Sequence, residues 1–122
     1  MKSIECTEDQ SECDGDAVRV KQLQVAELAR MLEQQAVTLF DVRPPDERAL
    51  ASIAEARPLD ASGQEYLFAL DPGAPVALLC HHGIRSQHAA QQLLQEGFRN
   101  VYNVRGGIDA WSQQVDANVP RY

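Results

Sequence analysis

The chain has 122 residues, 44% of them apolar and 24% charged, the size and make-up of one globular domain with a single core. Its net charge of −7 is unevenly placed: residues 1–16 hold six acids against Lys2 alone. The rest is nearly balanced, which excludes a basic nucleic-acid surface, and no stretch approaches the roughly 18 apolar residues of a membrane span.

The amino terminus, Met1-Lys2-Ser3-Ile4-Glu5, lacks the apolar centre of a signal peptide, so a cytoplasmic protein is expected. Residues 1–17 read as an acidic, flexible extension, and the folded domain is expected over 18–122. Three cysteines are an odd number and argue against a disulfide framework.

Val18 to Leu23 alternates apolar and polar residues and predicts a short strand. Val25, Leu28, Met31 and Leu32 follow at helical spacing, with Gln35 near the end. Thr38 to Val42 is β-rich and nearly continuous, as in a strand covered on both faces. Pro44-Pro45 stops it, and Asp46 to Leu50 predicts a short helix behind a proline. Ala56 to Leu59 predicts a brief strand, and Ser62-Gly63-Gln64-Glu65 fits a capping box for a helix running to Leu70.

Val76 to Leu79 is the clearest strand, and Ser86 to Glu96 an amphipathic helix with Gly97 as its left-handed stop and Phe98 folding back on Leu94. Val101, Tyr102 and Val104 form a last strand, Gly106-Gly107 a tight turn, and Ile108 to Val115 a terminal helix around Trp111. Strands separated by helices imply an α/β fold, a short parallel β-sheet flanked by helices on both faces.

Functional loops in such a sheet lie at the carboxyl ends of the strands. Cys80 is the first residue beyond Val76 to Leu79, and the loop Cys80-His81-His82-Gly83-Ile84-Arg85 leads into a helix. Loop amides and a helix terminus converge there on an anion. A thiolate at Cys80 is favoured by them and by Arg85, whose guanidinium can also grip an anionic substrate through paired hydrogen bonds. Gly83 lets the backbone double back. The pattern describes a nucleophile inside an anion receptor, whereas a cysteine after a strand, taken alone, is more often a small buried hydrophobe.

From about Val18 to Pro120 the chain resembles the single-domain rhodanese family. The resemblance rests on Leu39-Phe40-Asp41-Val42-Arg43 with Glu47 downstream, on Cys80-His81-His82-Gly83-Ile84-Arg85-Ser86, on Gly97-Phe98 with Asn100-Val101-Tyr102-Asn103-Val104, and on Gly106-Gly107-Ile108-Asp109-Ala110-Trp111. It implies a rhodanese-like fold and a sulfurtransferase. Cys80 would take a sulfane sulfur from a small anionic donor such as thiosulfate, become a persulfide, and pass the sulfur to cyanide or a thiol, a protein thiol included.

His81, His82, Gly83, Ile84, Arg85 and Ser86 would bind the anion, and Asp41 and Arg43 would brace the loops, with Glu47 as the partner of Arg43. No cofactor is implied. Related phosphatases have one more residue between cysteine and arginine, so a phosphatase or arsenate reductase is disfavoured. A binding or regulatory module of the same fold is the alternative. Two departures bear on substrate: His81 stands where thiosulfate-specialised members carry a basic residue, and Ser52-Ile53-Ala54-Glu55-Ala56 replaces the usual His-Ile-Pro-Gly-Ala.

His81, His82 and His88 beside Cys80 suggest zinc, but adjacent loop residues seldom converge on one ion and no metal site is expected. Cys6 and Cys13 read as incidental, a resolving thiol being the other role open to them. Trp111 is expected in the core, and Arg48 and Arg105 at the surface.

Overall fold

A computed structural model describes residues 18–122, so the readings of the acidic extension, Cys6 and Cys13 lie outside the described residues. Among the described residues five strands and five helices alternate: β1 Lys21–Leu23, α1 Val25–Glu33, β2 Thr38–Asp41, α2 Pro45–Leu50, β3 Arg57–Pro58, α3 Ala61–Phe68, β4 Val76–Leu79, α4 Ile84–Gln95, β5 Val101–Val104 and α5 Gly107–Gln114. The strands form one sheet in the order β1-β5-β4-β2-β3, and every pairing is parallel. Among the described residues no helix is long and apolar enough to cross a membrane.

Position in this order explains the sequence of each strand. β4 is central, all four of its residues are buried, and its Val-Ala-Leu-Leu run carries no polar side chain. Two apolar clusters cover the two faces of the sheet. One joins Leu39, Ala77, Leu79 and Val104 to Val25 and Leu28 of α1 and Ile108 and Trp111 of α5. The other joins Phe40, Val76, Leu78 and Val101 to Leu67 of α3 and Ala90 and Leu93 of α4. Trp111 thus packs in the core, as expected.

The start of α3 differs from the capping-box reading. Asp60, not Ser62, caps the helix: its carboxylate accepts the Gly63 amide at 2.9 Å, and the Ser62 hydroxyl donates to it at 3.2 Å. A carboxylate two residues earlier meets the positive helix end more strongly than a hydroxyl. Gly63 is required there, because a Cβ would lie 2.0 Å from the Pro58 carbonyl oxygen.

Helix α4 begins two residues earlier than expected, since Gly83 adopts φ +102° and turns the chain directly into Ile84. At its other end Gly97 has φ +104°, the left-handed stop that was expected, and the Phe98 amide donates to the Leu93 carbonyl.

Candidate active site

Cys80 follows the central strand, and its side chain is 1% exposed. The turn at Gly83 aims the first turn of α4 back at the sulfur. The Gly83 amide donates to Sγ at 3.0 Å and the Ser86 hydroxyl lies 3.2 Å from it, while the amides of His82 and Ser86 also support it. Burial pushes the Cys80 thiol up, but the Ser86 hydroxyl and these amides outweigh it and leave the pKa below its ordinary value.

The loop rests on the start of α5. The Ile108 amide donates to the Cys80 carbonyl at 2.9 Å and the Asp109 amide to the His81 carbonyl at 3.1 Å. Gly107, at φ +63°, approaches so closely that a Cβ would sit 2.4 Å from the His81 carbonyl oxygen. The Gly106-Gly107-Ile108-Asp109 stretch is therefore the floor of the cysteine loop.

Arg43 is buried and paired with Asp41 at 2.6 Å. It also donates to the carbonyls of Ala51 at 2.7 Å and Glu47 at 3.3 Å and to the Tyr122 hydroxyl at 2.9 Å, so it ties β2 to the segments that follow. Burial lowers its pKa, but the bonds to Asp41 and Tyr122 prevail and the net shift is upward.

The expected pairing of Glu47 with Arg43 takes another form. Arg43 reaches only the Glu47 carbonyl, and the Glu47 carboxylate holds Arg85 with bonds of 2.8 and 2.9 Å. With Asp41 already on Arg43, the cation left for Glu47 is the one at the start of α4. The Tyr122 hydroxyl donates to the same carboxylate at 2.6 Å.

Arg85 and Tyr122 together hold the Glu47 pKa at about 2, below its ordinary 4.5. A carboxylate with a lowered folded-state pKa stabilises the fold above its unfolded value and loses that contribution as the pH falls through the folded one. The stability advantage of the native chain over Glu47→Gln should therefore shrink between pH 4.5 and about 2, which melting curves across that range would measure.

The remaining loop side chains lie around the mouth. His81 is sandwiched between His82 and Tyr122, with ring centroids 3.9 Å apart on both sides. Its Nε2 is buried without a hydrogen-bond partner among the described residues. Ile84 points outward, 69% exposed, and His88 is on the surface. His81, His82 and Asp109 bring potential ligand atoms within 4.8 Å of one another. Stacked imidazoles direct their in-plane lone pairs side by side rather than at one point, and Arg121 already holds Asp109 at 2.9 Å. This arrangement does not build tetrahedral geometry.

Arg48 donates to the Arg43 carbonyl at 3.2 Å, and Arg105 lines a depression on the outer side of the loop with His82 and Asn103. The Ser52 to Ala56 segment packs inward through Ile53, which is 3% exposed.

Two residues of this site were not singled out in the sequence. Asn103, 4% exposed, accepts from the Ser86 hydroxyl at 2.5 Å and donates to the Gly83 carbonyl at 3.1 Å. A polar residue two positions after Val101 shares its face of β5, and that face meets α4; the period was the available signal. Tyr122 has no such signal, since its partners are 75 and 79 residues away.

Sheet order, helix placement and a cysteine cradled between β4 and α4 define a rhodanese-type α/β domain. The Rhodanese-like domain family model matches residues 24–114, and the chain belongs to that family. It is 40% identical over 91 residues to a thiosulfate sulfurtransferase GlpE of Vibrio cholerae, covering 74% of this chain and 83% of that protein. It is 37% identical over 93 residues to the thiosulfate sulfurtransferase GlpE of Pseudomonas paraeruginosa, covering 75% and 84%. Among solved structures, a rhodanese-related protein from Thermoplasma volcanium superposes with a TM-score of 0.64 at 32% identity, over 78% of this chain and 93% of that one. The activity of the chain is that of a sulfurtransferase.

Proposed function

We propose that this sulfurtransferase works through a persulfide on Cys80, with thiosulfate as a competent donor and cyanide or a thiol as acceptor. The Cys80 thiolate attacks the outer sulfur of thiosulfate, the S–S bond breaks, and sulfite leaves with the electron pair. The persulfide that remains is an anion, and attack by cyanide or a thiolate on its outer sulfur returns the Cys80 thiolate. The observation that carries this reading is the buried sulfur served by the Gly83 amide and the Ser86 hydroxyl. The amides of His81 to Ser86 would receive the anion, with Asp41 and Arg43 bracing the loop. A cytoplasmic, reducing setting suits such a thiol.

Sulfite release in a single turnover tests the mechanism. One sulfite per chain should appear on mixing with thiosulfate, and its absence would count against thiosulfate as donor.

Arg85 enters this scheme already engaged by Glu47 and with its side chain 45% exposed. Its replacement by Ala should therefore raise the KM for thiosulfate only about 5-fold, near 1 kcal/mol, with little change in kcat. Glu47→Gln frees the guanidinium and should lower that KM. Steady-state kinetics of the two variants measures both.

A further inference from the structure

The Ser86 hydroxyl has one proton and two claimants. Its oxygen lies 3.2 Å from Cys80 Sγ and 2.5 Å from Asn103 Oδ1. Two oxygens so close need a proton between them, and an amide oxygen has none to give, so the proton is serine's.

Exchanging the nitrogen and oxygen of the Asn103 amide would free that proton for the sulfur, but the surroundings forbid it. Asn103 Nδ2 donates to the backbone carbonyl of Gly83 at 3.1 Å and to Gln22 Oε1 at 3.0 Å. The exchange would set oxygen against the Gly83 carbonyl, an acceptor that cannot turn. Gln22 in turn donates through Nε2 to Gln87 at 2.8 Å, and the Gly83 carbonyl, which can only accept, sets the direction of the whole chain of amides.

With a neutral thiol, then, Ser86 donates to Asn103 and its lone pair accepts the S–H of Cys80. When the sulfur becomes an anion, the hydroxyl must rotate to donate to it, and Asn103 gives the proton up. Both serine and asparagine are buried, so neither has water as a substitute partner.

We propose that Asn103 is a positioning residue that competes with Cys80 for the Ser86 proton and thereby sets how readily the thiolate forms. This rests on Cys80 being the nucleophile, although its test reads ionisation and not sulfur transfer. Ionisation sends the thiol proton to solvent and the serine proton from Asn103 Oδ1 to Sγ, with no other group changed. The charged and titratable groups around the sulfur are Arg85 on α4, whose charge acts on it, with its partner Glu47 on α2, the Asp41–Arg43 pair at the end of β2, Tyr122 on that network, and His81 and His82 in the loop. β5 contributes Asn103 without charge. None of these charged and titratable groups is altered in the variants below.

The test is the pH profile of Cys80 alkylation by iodoacetamide, read at the Cys80 peptide by mass spectrometry, in a double-mutant cycle of Ser86→Ala and Asn103→Ala. Ser86→Ala should raise the Cys80 pKa by about 0.4–1 unit, because the charge-assisted bond to the thiolate is lost together with the weaker neutral bond to Asn103 that opposes it. Asn103→Ala also loosens the hold on Gly83, an effect present with or without the serine. The expected result is that Asn103→Ala moves the pKa lower when Ser86 is present than when it is introduced alongside Ser86→Ala, by about 0.4 unit or more. Equal shifts in the two backgrounds would make Asn103 merely structural and overturn the proposal. If Asn103→Ala does not fold, Asn103→Leu, which keeps the volume, completes the same cycle. Persulfide formation on thiosulfate is scored separately, so failure of the nucleophile reading is distinguishable from failure of this one.

Discussion

Replacing Cys80 with Ser should abolish sulfur transfer and leave the domain folded. The hydroxyl is smaller than the thiol and remains unionised at neutral pH, so it offers the loop no anion and the donor no soft nucleophile. The same amides can donate to it, and Cys80 belongs to neither apolar cluster, so stability should fall by no more than about 1 kcal/mol. Thiocyanate formation from thiosulfate and cyanide should drop on the order of 10³-fold or more. Circular dichroism and a melting curve on the same sample show whether the fold survives. A folded variant that retains native turnover contradicts a Cys80 nucleophile.

Gly107→Ala should be the most damaging single-methyl change near the site. The new Cβ would meet the carbonyl oxygens of His81 at 2.4 Å and Cys80 at 2.5 Å, both backbone atoms that no side-chain rotation can move aside. The residue would also have to hold φ +63°, a strained conformation for alanine. Strain and overpacking together predict a loss of about 2–4 kcal/mol and a displaced cysteine loop. Activity should fall with stability, even at temperatures where the variant is still folded.

Gly97→Ala is the control. Gly97 has φ +104° but nothing within 4 Å of a would-be Cβ. It should cost about 1 kcal/mol of backbone strain and leave kcat unchanged. Chemical unfolding and thiosulfate kinetics on the pair separate a loop held up by α5 from a generic dislike of alanine at positive φ.

What could be read from the sequence was what local pattern encodes. The apolar run of β4, the helical spacing after Val25, the stop at Gly97 and the cysteine at a strand end each depend on residues within one turn or one strand. So does the anion-receiving loop, whose glycine sits where the backbone must reverse. The α3 cap was misplaced because two capping signatures overlap in Asp60-Ala61-Ser62-Gly63, and only packing against Pro58 decides between them.

The partner of Glu47 was misassigned for a related reason. Arg43 is near in sequence and Arg85 is 38 residues away, but Asp41 already satisfies Arg43 inside the sheet. Asn103 lies inside the Asn100 to Val104 motif, yet its value comes from facing Ser86, 17 residues earlier. Long-range choices of this kind follow from the sheet order β5-β4-β2, which places the ends of those strands side by side and which no single window of sequence contains.

In the proposed mechanism Cys80 carries the transferred sulfur. Intact-protein mass spectrometry after incubation with thiosulfate, with Cys80→Ser alongside, tests it most directly. A gain of one sulfur atom that cyanide removes and that the variant lacks is the predicted result. A gain of sulfur that persists in Cys80→Ser, or no gain from thiosulfate or from a persulfide donor, would contradict it.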